Sequence, residues 1–237
     1  WCTDWQMSLN ADKCMLLSFH RRTNPMSFVY RLNSFALTSC TSYKYLGVYL
    51  TPNLSWATHI EHLIKSTNRS LGFLKRNLKS APHHLKLLAF KTLVRPKLEF
   101  ASSVWDPHQS YLSSDVEAIQ NRAVRFIHSN YSYNTSVTAL KKQVNLQDLS
   151  IRRKITRLLL FHKLFNDATK CESYIQVAAE RHLRNYHPHQ VIPAKFKTTT
   201  FMNSFFVKTA NDWNDLPREI TSLADPLKFK TALLSFF

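Results

Sequence analysis

The stretch Tyr43–Trp56, YKYLGVYLTPNLSW, is where the chain changes its period. Read two residues at a time, as a strand is, it puts Tyr43, Tyr45, Gly47 and Tyr49 on one face and Leu46, Val48 and Leu50 on the other. The second face is apolar enough to be core. Thr51, Pro52 and Asn53 close the strand as a turn, and Ser55 stands where the N-cap of the next element belongs. From Trp56 the apolar residues recur at helical spacing: Trp56, Ile60, Leu63, Ile64, Leu71, Leu74 and Leu78. A short β region therefore gives way here to a long helical one. A tyrosine row interrupted by glycine suits a grip, because glycine lets another backbone or a ligand come close and tyrosine offers a flat body with a hydroxyl edge. It equally suits a cover for a neighbouring helix.

Upstream, KCMLLSF (Lys13–Phe19) reads as a buried strand, HRRTNP (His20–Pro25) as an exposed turn, and SFVYRLNSFALTS as a hairpin turning at Asn33 and Ser34. With the tyrosine strand these predict a small antiparallel sheet behind an opening helical stripe of Trp1, Trp5 and Leu9. Downstream, a second helix of about Leu85 to Trp105 is apolar nearly all round, hence central, and kinked by Pro96. A third, Val116–Ile127, buries Val116, Ile119, Ala123, Phe126 and Ile127 and displays Arg122 and Arg125. A fourth lies in SIRRKITRLLLFHKLFND, with Ile151, Ile155, Leu158, Leu159 and Phe165 inward and Arg152, Arg153, Lys154 and Arg157 at its start. Cations there oppose the helix dipole, so they either invite an external anion or are solvated. Residues 180–200 read as a linker or long loop. A helix through Phe206, Ala210 and Trp213 ends at Pro217, and PLKFKTALLSFF adds a last amphipathic turn or two. The expected fold is α+β, mainly α-helical, divided at 1–55, 56–166 and 167–237.

Composition narrows the function. Two glycines in 237 residues remove the glycine-rich loops that cradle nucleotide phosphates and leave helix to dominate. No run of about eighteen apolar residues offers a membrane span. Cys2, Cys14, Cys40 and Cys171 are scattered, which favours a reduced, intracellular setting over a disulfide scaffold. Lys and Arg number 32 against 15 Asp and Glu, a net charge of +17, and residues 56–165 hold eighteen of the cations against six carboxylates. Such a block draws polyanions, nucleic acid before an anionic membrane.

No chemistry of its own is legible. Two-metal phosphoryl transfer needs converging carboxylates, and the nearest candidates, Asp115 with Glu117 and Asp212 with Asp215, read as solvated or capping groups. Cys171, His182, His187 and His189 cluster without zinc-ligand spacing. No nucleophile elbow is possible with so little glycine. The basic block is left as a binding surface, although any single lysine or arginine on an amphipathic helix is ordinarily just solvated.

WQMSLNADKCMLLSF, YKYLGVYL, the long basic helical stretch and SFFVKTANDWNDLPREI, taken in that order, resemble the C-terminal part of reverse transcriptases from non-LTR retrotransposons of the jockey-like group, including the tick transposon type. LNADKC looks like the segment that follows the catalytic strands of the palm, KYLGV like the primer grip, and DWNDLP like the terminal signature, with Val207 where proline is usual. The resemblance implies the end of a palm with a primer-grip hairpin (1–55), a basic helical thumb (56–166) and a C-terminal helical region (167–237). It implies an RNA template and a DNA primer as partners, bound through Tyr45, Leu46, Gly47, Lys65, Arg69, Lys75, Arg76, Lys79, Arg122 and Arg125, and action on chromosomal DNA in the nucleus. Mg2+ is implied for the complete polymerase, whose paired aspartates lie upstream with the rest of the palm and the fingers. This chain, read as a fragment, is expected to bind no metal and to be inactive alone. Lys13 matches the palm lysine that is a candidate general acid in the complete enzyme. A stand-alone RNA- or DNA-binding module, or a structural partner docking through Trp1, Trp5 and Phe19 on a separate palm, are the alternatives.

Overall fold

The computed structural model describes residues 2, 4–20, 26, 28–32, 34–167, 174–178 and 189–237. The chain forms two compact units, Trp1–His62 and Leu63–Phe237. Helix accounts for 55% of the described residues.

The first unit is made of very short strands. β1 (Met15–Leu16) pairs in parallel with β4 (Thr38–Ser39), while β2 (Arg31–Leu32) pairs antiparallel with β3 (Phe35–Ala36). The single antiparallel sheet expected from sequence is thus replaced by separate two-stranded pairs, one of them parallel. Strands of two residues have no buried face to share: every residue of β1 to β4 is exposed or half-buried. The β2–β3 hairpin turns where expected, although Asn33 itself, like Trp1, lies outside the described residues.

The tyrosine stretch is not one strand. Tyr43–Tyr45 (β5) pairs antiparallel with Val48–Leu50 (β6), in the register Tyr43 with Leu50, Lys44 with Tyr49 and Tyr45 with Val48. Leu46 and Gly47 form the connection with φ of 45° and 91°. Two positive φ values in succession define a type I′ turn, whose twist matches that of paired strands. A two-residue turn also shifts the parity of the pattern. Tyr43, Tyr45, Val48 and Leu50 share one face, Lys44 and Tyr49 the other, so the row of four predicted at a two-residue period does not exist. Tyr49 instead stacks on His62 at 4.0 Å, with Lys44 Nζ 5.7 Å from its ring. His59 Nδ1 accepts the Tyr49 N–H at 3.3 Å, and burial, with His62 nearby, lowers the His59 pKa to about 4, which keeps that acceptor neutral.

The turn after β6 forms as expected, Leu54 N–H donating to Thr51 O at 2.9 Å, and Ser55 Oγ accepts from Ala57 N–H at 3.3 Å to satisfy one orphan donor of the next helix. That helix, α1 (Ala57–Asn77), buries Ile60, Leu63, Leu71 and Leu74. The second predicted helix is broken into α2 (His83–Ala89), a π-helical turn (Phe90–Val94), α3 (Arg95–Glu99) and α4 (Ser102–Trp105). Pro96 cannot donate, and the ladder widens just ahead of it. Ala101, at φ 52°, ends α3 in the left-handed region. This segment is not central: Phe90, Val94, Leu98 and Trp105 are buried, but Leu85, Leu88, Leu93, Phe100 and Val104 are exposed.

α5 (Ser110–Ile127) buries all five of its expected core residues. After α6 (Val137–Gln143) comes α7 (Leu149–Phe165), whose Ile155, Leu158 and Phe161 pack with Val191, Ala210, Trp213, Leu216, Ile220, Phe229 and Leu233. This core is drawn from both sides of residue 166. The expected linker is only partly a loop, because Val191–Ile192 (β8) pairs antiparallel with Gln176–Val177 (β7). Its last helical turn, α8 (Thr199–Met202), precedes α9 (Phe205–Asn214). Asn214 explains the strand pair: its side chain accepts from Val191 N–H at 3.0 Å and donates to Val191 O at 2.8 Å. α10 (Arg218–Thr221) and α11 (Pro226–Phe236) complete the chain, the latter capped by Asp225 Oδ1 on Leu227 N–H. Among the described residues, no helix is long and apolar enough to cross a membrane.

Candidate functional site

The cations of unit 2 fall into two populations. Those that open α7 are neutralised from within. Arg152 forks onto both oxygens of Glu99. Arg153 Nε donates to Asp106 Oδ1 at 2.8 Å and its Nη2 to Ser113 Oγ at 2.8 Å; Arg157 Nε donates to Asp106 Oδ2 at 2.9 Å and its Nη1 to Thr209 Oγ1 at 3.1 Å. Lys208 reaches Asp106 Oδ2 at 2.7 Å, and Asp212 takes Arg157 at 2.8 Å and Lys154 at 3.0 Å. Arg153 and Arg157 are buried. Burial alone would raise the Asp106 pKa, but Lys208 and Arg157 beside it, with hydrogen bonds from Lys208 and Arg153, outweigh that and hold it below the ordinary carboxylate value. The sequence reading of these arginines, as bait for an external anion or as solvated groups, is corrected here. Three distant carboxylates compensate them. Glu117 behaves likewise, receiving Lys141 Nζ at 2.6 Å and Leu149 N–H at 2.9 Å.

The cations of α1 are different. Lys65, Arg69 and Arg76 recur within about 20° of a common line on a helix advancing 100° per residue, a stripe about 17 Å long at 1.5 Å per residue, and Lys79 follows in the turn just past the end of the helix. All four are exposed. Arg69, Arg76 and Lys79 meet no carboxylate among the described residues. At the middle of the stripe stands Gly72, where an added Cβ would touch nothing within 4 Å but the Arg76 guanidinium at 3.5 Å. Packing does not require glycine there, and in a helix it costs about 1 kcal/mol relative to alanine. Lys75 lies at the stripe's edge, half-buried, with Nζ 6.0 Å from the Tyr131 ring. Burial and the neighbouring charge of Arg122, from α5, lower its pKa. Two like charges are thus held together at the end of an exposed basic row, a local potential that an anion would relieve.

The remaining expected residues divide in the same way. Arg122 is exposed, its Nε on Ala118 O at 3.2 Å. Arg125 is a brace, donating to Ser132 O at 2.8 Å and Thr135 O at 3.5 Å. Tyr45, Leu46 and Gly47 come together at the β5–β6 turn in unit 1, a tip and not a strand face. Leu46 is 78% exposed with a left-handed backbone that disfavours any branched side chain by roughly 1–2 kcal/mol. Lys13 is exposed at the end of a 3₁₀ turn, Ala11–Lys13, tied by Asn10 Oδ1 accepting from Asp12 N–H at 3.0 Å and by Cys14 Sγ donating to Asn10 O at 3.3 Å.

Among the described residues no group of three or more His, Cys, Asp or Glu is placed to hold a metal ion. Cys171, His182 and His187 lie outside them. Sequence reasoning missed the buried Asp106 centre and the loop that Arg125 braces. The only signal for the latter was its two tyrosines in NYSYN.

The chain is similar to the RNA-directed DNA polymerase from mobile element jockey of Drosophila funebris, 27% identical over 132 residues, 54% of this chain and 14% of the relative. It is similar also to the jockey polymerase of Drosophila melanogaster, 22% identical over 206 residues, 81% of this chain and 22% of the relative. A probable RNA-directed DNA polymerase from transposon BS of Drosophila melanogaster is 24% identical over 165 residues, 66% of this chain and 17% of the relative. The chain spans about a fifth or less of the length of these relatives. No family model and no solved structure matches it.

Proposed function

We propose that this reverse-transcriptase-related region is the part of a non-LTR retrotransposon polymerase that holds the template–primer duplex. Similarity to RNA-directed DNA polymerases of mobile elements supports the class. The observation that carries the role is the α1 stripe: among the described residues Arg69 and Arg76 meet no carboxylate, whereas Arg152, Arg153 and Arg157 of α7 each do. Lys65, Arg69, Arg76 and Lys79 contact phosphates, with Lys75 and Arg122 closing the row, and the β5–β6 turn offers Tyr45, Leu46 and Gly47 to the primer end as a separate contact. Arg125 serves by shaping its loop. Lys13 acts as an acid only in a complete polymerase, and this chain alone does not extend a primer. It works with the rest of a palm and with fingers, and its place of action is the nucleus.

The test is affinity for a labelled RNA–DNA hybrid, by fluorescence anisotropy, in the unaltered chain and in Arg69→Glu/Arg76→Glu. Reversing two phosphate contacts should weaken binding by more than tenfold and leave thermal unfolding unchanged. An unchanged affinity contradicts the role. A docking reading is favoured instead by the exposed Trp5, Met7, Leu9 and Phe19 of unit 1. Apolar docking would respond hardly at all to salt.

A further inference from the structure

We infer that the loop Ser129–Thr135, between α5 and α6, is a stacking platform for unpaired nucleobases, so that the surface proposed above takes single-stranded as well as duplex nucleic acid. The inference rests on that proposal for its phosphate contacts and adds a site of another chemistry.

Tyr131 is 62% and Tyr133 96% exposed. Two aromatic rings in water are unremarkable on a loose loop, but this loop is tied at Ser129, Asn130, Ser132 and Thr135. Ser129, at φ 51°, ends α5 in the left-handed region, and its hydroxyl receives Nζ of the buried Lys86 at 2.7 Å. Asn130 N–H returns to Arg125 O at 3.0 Å, and Asn130 Oδ1 accepts from Ser132 N–H at 3.0 Å and Thr135 Oγ1 at 3.3 Å. The guanidinium of Arg125 donates to the carbonyls of Ser132 and Thr135. Side chains from two helices therefore fix a backbone whose own tyrosines touch little of the protein. The cost of ordering is met before any ligand arrives, as a binding surface needs.

Charge chooses the occupant. Lys75 stands over one face of Tyr131, and Arg122 is close enough to depress the Lys75 pKa. A flat apolar ring beside concentrated positive charge is how sequence-tolerant single-strand binders work: cations follow the backbone and aromatics take the bases. A duplex has its bases stacked on one another and would use only the cations. An apolar protein partner would gain from the tyrosines but not from Lys75 and Arg122.

The whole 237-residue chain is titrated with labelled single-stranded oligothymidylate and with an abasic strand of the same length, using Tyr131→Ala, Tyr133→Ala and the corresponding phenylalanine variants. Each alanine should weaken oligothymidylate binding by about fivefold or more. It should leave the abasic strand and the salt dependence untouched, and phenylalanine should restore wild-type affinity. Equal losses on both strands, or none on either, overturn the platform. If Arg69→Glu/Arg76→Glu weakens both strands while the tyrosine variants bind normally, the platform falls and the phosphate-holding role stands. If the unaltered chain binds neither strand nor an RNA–DNA hybrid, both fall.

Discussion

Helices α1 and α7 carry nearly the same complement of cations and use them in opposite ways. On α7, Arg152, Arg153, Lys154 and Arg157 point into the protein and meet Glu99, Asp106 and Asp212. On α1, Arg69 and Arg76 lie along an exposed row and meet no carboxylate among the described residues. A count of basic residues treats the two alike. What separates them is whether a carboxylate from elsewhere in the chain arrives at the same place, and on the proposed function α7 holds the fold while α1 holds the ligand.

The largest effect expected from breaking that distinction is at Asp106. One carboxylate serves Arg153, Arg157 and Lys208, so Asp106→Ala leaves buried cations without compensation and should destabilise the chain by about 3–5 kcal/mol, read from urea unfolding. Acid provides a reversible version of the same experiment. Because the folded-state pKa of Asp106 lies below its unfolded value of about 3.9, its contribution is complete above that value and is lost as the pH falls through the folded pKa. Unfolding by acid in Asp106→Asn should lack that component. A smaller effect is expected from base. Lys75 loses its proton at lower pH than an ordinary lysine, and a polyanion prefers the charged form, so nucleic-acid affinity should decline as the pH rises through the lowered pKa. Lys75→Gln should remove that decline. The smallest change is Gly72→Ala, which should raise stability by up to about 1 kcal/mol while weakening nucleic-acid binding a few-fold, because a methyl group then stands in the middle of the row. Tighter binding in Gly72→Ala would show that nothing approaches the helix there.

Much of α1, α5 and α7 was legible because a helix writes its buried face into one continuous stretch: Ile60, Leu71, Val116, Ile119 and Leu158 are all buried as their spacing predicts. The β region was read less well. The parity of the tyrosine stretch was lost at Leu46–Gly47, since a type I′ turn normally announces itself with Asn-Gly and leucine gives no such signal. The α2–α4 segment looked buried all round because its composition is apolar, whereas only the side bearing Phe90, Val94 and Leu98 reaches the core. The ion pairs of α7 were beyond reach for another reason. Asp106 lies 47 residues before Arg153 and 102 before Lys208, and sequence periodicity carries no information across such separations. The terminal DWN, read as part of a family signature, turns out to be a structural lock: Asp212 takes Arg157, Trp213 Nε1 donates to His189 O at 2.8 Å, and Asn214 clasps Val191.

The most direct test sets the two helices against each other in a salt titration. The slope of log affinity against log salt concentration for an RNA–DNA hybrid counts the phosphates neutralised. Arg69→Gln/Arg76→Gln should lower that slope by about two and leave stability as it was. Arg152→Gln/Lys154→Gln should lower stability and leave the slope as it was. The reverse pattern, with α7 setting the slope and α1 setting the stability, contradicts the account.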